Sequence, residues 1–342
     1  MTLSVLDLSP VVSGGTAAQA LRNTLDLARA VERFGYRRYW VAEHHLTPGV
    51  ASTSPAVLIG AVAAATETIR VGSGAVLIGY YPPLLVAEQF GTLAALHPGR
   101  IDLGLGRSGA ARSAELAKLP MFSDPGLVAR YRVQQELLGV REGAEEAPYE
   151  EQVGQVLRFV EGEHHANLVE GADFDVWVLG ASAGASTRTA GRLGLPFAVG
   201  HHIAPRMARG AADAYREAFV PSERLAEPYV VVSADVVVAE DAATAEELAA
   251  PYGHWVLSAR TGGGVPPYPT SAEAAAFEWT EADRAKVADR VETQVVGAPA
   301  DVAERLRELK DAFGADEVMV TTITHDHAAR VRSYELLAKA WG

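Results

Sequence analysis

The chain has 342 residues, 49% of them hydrophobic, and its 30 basic against 43 acidic side chains give a formal net charge of −13. This composition can build a large apolar core, which excludes a globally disordered chain, and it supplies no basic face for a nucleic acid or an anionic membrane. The sequence contains no cysteine, so disulfides, thiolate nucleophiles and cysteine-ligated metal centres are excluded.

Strands and helices alternate over the first hundred residues. Short apolar runs predict four strands, at residues 3–8, 38–43, 69–77 and 100–106. Helices are predicted between them, over residues 16–35, 54–66 and 82–96. The first helix begins with Thr16 and Gln19 at capping-box spacing and ends at Gly35, where a C-cap is expected. The strands start roughly 30–35 residues apart, which is the size of one βα unit.

The second part of the chain resumes this alternation after an interruption. Residues 110–170 include an acidic stretch and are predicted to form an insertion with one or two helices. Four more strands follow at residues 173–180, 196–200, 229–239 and 315–323, each with a helix after it. A second, loop-rich insertion at about residues 260–290 comes after the helix that begins at Asp241.

The pattern predicts an α/β fold of eight βα units. Its strands are almost continuously apolar, as in a parallel sheet that is covered by helices, and eight such units favour a (β/α)8 TIM barrel over an open doubly wound sheet. We expect a single domain over residues 1–342. Its insertions are expected after strand 4 (about 110–170) and after the helix that follows strand 7 (about 260–290).

Histidines gather at the carboxyl ends of the predicted strands, where barrels of this kind carry their chemistry. The polar residues expected at this rim include Asp7, Ser9, Glu43, His44, His45, Arg107, His201, His202 and His325. Two adjacent histidine pairs, 44–45 and 201–202, follow strands 2 and 6. Because neighbouring residues of a strand point to opposite faces, one histidine of each pair is expected near a ligand, for hydrogen bonding or proton transfer.

The stretch GLGRSG, residues 104–109, has the spacing of a dinucleotide-binding turn. It follows the fourth strand instead of the first, and the helix signals after it are weak, so a nicotinamide-binding fold is disfavoured. The alternative interpretation is that Gly104 and Gly106 clear space inside the barrel for a large ligand. Arg107 would then point up from the end of the strand.

A second run of small residues, GASAGAS at 180–186, leads directly into a predicted helix. Its backbone N–H groups are unhindered, and Ser182, Ser186 and Thr187 add hydroxyl groups at the positive end of the helix dipole. Taken alone, the pattern fits a capped helix equally well. Arg107 on the neighbouring strand would add a charged clamp, which favours a phosphate site and hence a phosphorylated cofactor across strands 4 and 5.

Four stretches of the chain are similar to a known family. They are AEHH (42–45), LIGYYPPLLVAEQFGTLAALHPGRIDLGLGR (77–107), WVLGAS with LGLPFA (177–198) and ADEVMV (315–320). In these residues the sequence resembles the bacterial luciferase-like flavin-dependent monooxygenases, and in particular their single-chain luciferase-family oxidoreductases. The fold of that family is the TIM barrel that the strand pattern predicts.

The resemblance implies a reaction and the residues that carry it. Reduced FMN, supplied by a separate flavin reductase, would react with O2 to give a flavin peroxide that oxidises a small organic substrate: an aldehyde, a ketone or an aromatic compound. His44 matches the family's catalytic histidine and would transfer a proton, and the catalytic motif is Glu43, His44 and His45. The implied cofactor-binding residues are Gly74, Ala75, Arg107, Gly180, Ser182, Ala183 and Ser186.

Other positions of the chain either match the family or depart from it. Gly74 and Ala75 match the place where relatives carry a non-prolyl cis peptide beneath the flavin ring. Gly106 stands where luciferase itself has a reactive cysteine, and the turn at 180–186 is a residue longer than in close relatives. The insertion around 110–150 has little counterpart there, and we expect it to shape the substrate pocket.

Three other functions stay open at the level of sequence. The same fold could transfer hydride with a deazaflavin coenzyme, bind flavin without turnover, or hold a hydrolytic metal through His44, His201, His202 and His325. Under the leading interpretation we expect no metal ion, and a homodimer is the default. A cytoplasmic location is also expected, because the N-terminal residues lack a signal-peptide pattern.

Overall fold

Eight parallel strands close into a barrel in the computed structural model, which describes residues 2–107, 125–140, 147–261 and 264–342. The barrel strands are β1 (Leu3–Asp7), β2 (Arg38–Val41), β3 (Arg70–Ser73), β5 (Ile101–Gly106), β6 (Phe174–Gly180), β7 (Phe197–Val199), β8 (Val230–Val238) and β10 (Glu317–Thr321). Two short strands, β4 (Val76–Leu77) and β9 (Val295–Gly297), pair with the ends of β5 and β8. Since β10 pairs with both β1 and β8, the sheet is closed and the predicted TIM barrel is confirmed.

Helices form the layer outside the barrel. They are α1 (Ala17–Arg33), α2 (Pro55–Ala65), α3 (Pro83–Leu96), α4 (Pro125–Leu137), α5 (Tyr149–Val160), α6 (Ala185–Arg192), α7 (Pro205–Ala218), α8 (Ala242–Ala249), α9 (Tyr252–Arg260), α10 (Ser271–Ala275), α11 (Glu281–Thr293), α12 (Pro299–Phe313) and α13 (His327–Trp341). Their starts follow sequence signals: the Thr16 side chain accepts the backbone N–H of Gln19 at 3.2 Å, and several helices begin with proline.

The barrel wall is apolar on both faces, which is why its strands read as continuous hydrophobic runs. Outward side chains such as Leu3 and Val5 pack under the helices, in a large cluster that runs around the barrel. Inward side chains form a second, smaller cluster, in which Trp40 meets Trp177 edge to face at 5.2 Å. The barrel is therefore a filled core, and any site must lie above it.

Charged side chains fill the amino-terminal end of the barrel interior. The guanidinium of Arg38 lies 2.8 Å from the carboxylate of Asp102 and 3.3 Å from that of Glu317. Arg70 adds a second contact to Asp102 at 2.6 Å. All four side chains come from different strands, so this cluster, called here the base network, joins β2, β3, β5 and β10 across the interior.

The third predicted strand is not continuous. The peptide bond between Gly74 and Ala75 is cis, and it separates β3 from β4. The second insertion also holds more structure than a loop, because it includes α10 and most of α11, and the short strand β9 follows directly after α11. The first insertion contains α4 and α5. Residues 108–124 and 141–146 lie outside the described part, and they include Ser108 and Gly109 of the glycine motif.

Asp7 and Ser9 do not reach the mouth, contrary to expectation. The Asp7 carboxylate points outward and binds Arg330 of α13 at 2.7 Å and Thr24 of α1 at 2.7 Å, while the Ser9 hydroxyl contacts Thr24. Burial favours a raised pKa for Asp7, but the Arg330 charge and the hydrogen bond from Tyr39 outweigh it and hold the pKa below its usual range. These residues fasten the helix layer to β1.

Among the described residues, no helix combines the length and the apolar composition that crossing a bilayer requires.

Gly104 is needed for contact between strands. A Cβ at this position would lie 2.0 Å from the carbonyl oxygen of Ser73, whose hydroxyl also accepts the Gly104 N–H at 2.9 Å. The expectation that Gly104 clears space for a ligand is therefore wrong, because the neighbouring strand β3 occupies that space.

We expect Gly104→Ala to lower the free energy of unfolding by about 2 kcal/mol or more, since the barrel wall must shift to admit the methyl group. Gly210→Ala is the matched control: it lies in α7 with nothing within 4 Å of the added Cβ, and it should stabilise the protein by about 0.5–1 kcal/mol. Midpoints of urea unfolding measure both changes. Equal midpoints for the two variants would contradict the close approach of β3 and β5.

Candidate active site at the barrel mouth

His44 follows β2 at the rim of the barrel. Its backbone N–H binds the carbonyl oxygen of Ser52 at 2.9 Å, which fixes the loop after the strand. Burial lowers the pKa of the His44 imidazole to about 4, so the ring is neutral at neutral pH. Its Nδ1 atom is buried and has no hydrogen-bond partner in the described structure. The chain therefore places a neutral, unsatisfied imidazole at the mouth.

Glu43 is a buried anchor beside it. One carboxylate oxygen contacts His45 Nε2 at 2.7 Å and accepts the Tyr81 hydroxyl at 2.6 Å, and the other accepts the Leu77 backbone N–H at 2.8 Å. The hydrogen bond to Glu43 is among the causes, after burial, that raise the pKa of Tyr81. Both carboxylate oxygens thus have protein partners. These hydrogen bonds join the loop after β2 to the segment after the cis peptide.

The second histidine pair divides as strand alternation predicts. His202 Nδ1 lies 2.6 Å from the Ser233 hydroxyl, on the inner face of β8, and burial lowers the pKa of His202 to about 4. His201 instead packs edge-on against Phe313 of α12, with ring centroids 5.5 Å apart. After burial, His44 is among the neighbouring groups that lower the pKa of His202.

The histidines of the metal-hydrolase interpretation do not converge. His201 lies toward the helix layer, and His325 Nε2 donates to the carbonyl oxygen of Ser13 at 3.0 Å. In the ranges that the structure describes, no three His, Cys, Asp or Glu side chains are grouped so that they could hold a metal ion. The geometry therefore gives that interpretation no support.

A buried ion pair at the same rim was not anticipated from the sequence. Asp235 on β8 binds Arg290 of α11 at 3.0 Å, and the Tyr252 hydroxyl donates to the same carboxylate oxygen. The sequence does hold a signal for it. Ser233 and Asp235 interrupt an apolar strand two residues apart, so both must face the same side of the sheet.

The cis peptide between β3 and β4 lies beside β2 and beside Gly106 of β5. Gly74 N–H binds the Val41 carbonyl at 2.8 Å, and a Cβ on Gly106 would come within 3.0 Å of the Ala75 methyl group. Gly106 therefore allows β5 to pass close to the Gly74–Ala75 segment. The cis bond at this position agrees with what the resemblance implies.

The turn after β6 presents small residues at the start of α6. Ser182 and Ala183 are exposed, Ser186 is buried, and a Cβ added to Gly184 would meet no atom within 4 Å. The Thr187 hydroxyl makes its hydrogen bonds within the turn, since it accepts the Gly184 N–H and donates to the Gly184 carbonyl oxygen, both at 3.0 Å. Of the predicted hydroxyl groups, the one of Ser182 thus remains at the surface of the turn.

Arg107 ends the adjacent strand β5 and is exposed. It also acts on the pKa of Tyr149, which burial raises and the arginine lowers. Tyr149 donates its hydroxyl to the Leu105 carbonyl at 2.8 Å. Arg107 therefore lies near Tyr149 of α5 and one strand away from the 180–186 turn.

Helix α4 covers another side of the mouth. Arg130 donates to the Thr47 hydroxyl at 3.0 Å and lies against Gly264, where a Cβ would come within 1.9 Å of its guanidinium. Gln134 donates to the Tyr80 hydroxyl at 3.0 Å. One helix of the first insertion thus contacts the loops after β2 and β4 and the second insertion.

Known proteins are similar to this chain over nearly its whole length. The family model for luciferase-like monooxygenases matches residues 1–317. A luciferase-like monooxygenase of Escherichia coli (strain K12) is 36% identical over 338 residues, which are 98% of this chain and 96% of that protein. The crystal structure of apo-MsnO8 is 36% identical, has a TM-score of 0.80, and covers 99% of this chain and 98% of its own.

More distant structures share the fold alone. The oxygenating constituent of 3,6-diketocamphane monooxygenase from Pseudomonas putida, in complex with FMN, is 20% identical with a TM-score of 0.68 over 99% of this chain and 97% of its own. An F420-dependent secondary alcohol dehydrogenase is 14% identical with a TM-score of 0.63, over 100% of this chain and 99% of its own.

The lowered pKa values of His44 and His202 make stability depend on pH. Between pH 6.5 and 4, His44 and His202 bind protons in the unfolded chain but stay unprotonated in the native state. The free energy of unfolding therefore decreases as the pH falls through this window. We expect His44→Gln to reduce this loss. Thermal midpoints recorded from pH 7 to pH 4 for the parent and the variant measure the effect, and parallel curves would show that His44 titrates normally.

Proposed function

The chain belongs to the luciferase-like monooxygenase family, and from that premise we propose that it is an FMN-dependent enzyme that uses reduced FMN and O2 to oxidise a small organic substrate. The observation that carries the proposal is the neutral His44 imidazole, which lies at the mouth with a buried, unpartnered Nδ1. A deazaflavin coenzyme on the same fold is the alternative that the experiments below must separate from it.

The turn at 180–186 has the properties that a phosphate requires. Its residues are small, Gly184 has open space around it, and the turn leads into the amino terminus of α6, where backbone N–H groups favour an anion. Arg107 lies at the end of the neighbouring strand. We propose that Gly180, Ser182, Ala183 and Ser186 hold the FMN phosphate together with Arg107.

The Gly74–Ala75 segment would support the flavin ring. It lies between β3 and β4, and Gly106 keeps the adjoining strand free of a side chain there. When bound, reduced FMN would supply the electrons that activate O2. The filled barrel interior beneath this segment would exclude water from the site, which such chemistry needs.

His44 would hold and move the proton. A neutral imidazole can accept a proton from the reacting groups and return it. Burial keeps the His44 ring neutral before that transfer. Glu43 and His45 would serve this role as positioning residues, because Glu43 binds His45 and Tyr81 and so fixes the loop that carries His44.

We propose further that a separate flavin reductase supplies the reduced FMN and that the protein acts as a homodimer in the cytoplasm. The substrate is proposed only as a class, a small organic compound such as an aldehyde, a ketone or an aromatic molecule.

We expect His44→Ala to lower the rate of substrate oxidation by roughly 100-fold or more, the size of a general acid–base contribution, while FMN binding stays within a few-fold. The rate is measured with reduced FMN and O2 on whichever of a set of simple aldehydes, ketones and phenols the parent oxidises fastest. His164→Ala, at a side chain that is 74% exposed, is the matched control. A variant as fast as the parent would remove His44 from the mechanism.

We expect Arg107→Ala to weaken FMN binding by roughly 10-fold to 100-fold but to leave riboflavin binding nearly unchanged, because only FMN has the phosphate. Arg192→Ala, at the far end of α6, is the control. Fluorescence titrations with oxidised and reduced FMN, riboflavin and a deazaflavin coenzyme measure this. Equal weakening of FMN and riboflavin would dismiss the phosphate contact, and tighter binding of the deazaflavin by the parent would favour hydride transfer.

A further inference from the structure

His202 borders the mouth but has no part in the proposed proton transfer. In the ring of eight strands, β2 and β7 are four strands apart, so His44 and His202 approach the mouth from opposite sides. Ser233, which His202 contacts, lies on the inner face of β8, and Ala42, two residues before His44, belongs to the inner apolar cluster, so both side chains are placed at the mouth. A substrate placed beside His44 therefore lies between the two rings.

The hydrogen bonds around Ser233 decide which nitrogen of His202 carries the proton. Ser233 donates its single hydroxyl hydrogen to the Val199 carbonyl oxygen at 3.0 Å. Its oxygen can then only accept from His202 Nδ1, which lies 2.6 Å away. His202 thus carries its hydrogen on Nδ1, and the neutral ring has a lone pair on Nε2.

This Nε2 lone pair is available to a ligand. The His202 side chain is partly exposed, and the described structure records no hydrogen bond to its Nε2 atom. The nearby carboxylate of Asp235 is held by Arg290 and Tyr252 through one of its two oxygens, so it is directed toward that pair. His202 Nε2 is therefore an acceptor of fixed position opposite His44.

We propose that His202 Nε2 accepts a hydrogen bond from an O–H or N–H group of the substrate, so that the enzyme selects compounds with such a donor over those without one. Phenols, enols and amides belong to this class, and simple hydrocarbons and ethers do not. The proposal rests on the proposed function, because it takes the mouth to be the place of oxidation. Ser233 is the positioning residue, since it fixes the tautomer.

The test compares phenol with anisole, which has the same ring and no donor, on the FMN-loaded protein labelled with 15N-histidine. We expect long-range 1H–15N spectra to show a protonated Nδ1 and an unprotonated Nε2 for His202. Phenol should shift the Nε2 signal and bind roughly tenfold more tightly than anisole, which is the size of one hydrogen bond. A protonated Nε2, or no shift up to the solubility of phenol, would overturn the proposal.

Two variants separate the acceptor from mere packing. His202→Asn keeps an amide near Ser233 but places no acceptor at the Nε2 position, so it should bind phenol and anisole equally. His202→Gln extends an amide oxygen toward the Nε2 position and should retain most of the preference for phenol. A preference that survives in His202→Asn would refute the assignment.

Binding of phenol requires neither reduced FMN nor O2, which keeps the two proposals distinguishable. If the preference for phenol holds but no probe is oxidised, the proposed function fails and the donor site stands. If probes are oxidised but anisole and phenol bind alike, the donor site fails and the proposed function stands.

Discussion

The barrel depends on one buried cation at its base. Arg38 reaches from β2 into the interior and meets Asp102 of β5 and Glu317 of β10. Without this arginine, Asp102 would keep only Arg70 and Glu317 would lose the buried guanidinium beside it, and breaking a buried pair in this way costs about 3–5 kcal/mol. Because these strands stand on different sides of the barrel, the ion pairs fix the distance between its walls. The same distance then separates the residues at the mouth.

Burial also determines the protonation state of the histidines at the mouth. The aromatic cluster of Trp40 and Trp177 separates the base network from the rim and leaves no room for bulk water between them. Burial then disfavours the charged form of any imidazole placed just above, and both His44 and His202 have pKa values near 4. The same packing thus stabilises the barrel and keeps its two histidines neutral.

The fold could be predicted from the sequence largely because parallel strands that are buried on both faces leave long apolar runs. The interruption at Gly74 and Ala75 could not be derived from that pattern, since a cis bond changes no residue type; it followed from the resemblance alone. The strand β9 was missed because three residues are too short a run to stand out from a loop. Asp7 was misplaced because an acidic residue at a strand end looks the same whether it faces the mouth or a helix.

The site was predictable where strand alternation governs it and not where distant elements meet. Alternation alone indicated that one histidine of each pair would face the mouth, and His44 and His202 do so. The contact of Asp235 with Arg290 joins a strand to a helix of the second insertion, and the strand pattern places Asp235 on one face without indicating its partner. The roles of Glu43 and His45 likewise depend on Tyr81, a residue that lies far away in the sequence.

The barrel rim itself is uneven, because β8 continues for three residues beyond its pairing with β10 and is joined there by β9. At about 3.3 Å per residue, these three residues carry β8 about 10 Å along the strand beyond the end of its pairing with β10. A planar molecule that binds beside this extension has different protein surfaces on its two faces, so under the proposed function a prochiral compound is expected to yield one enantiomer in excess.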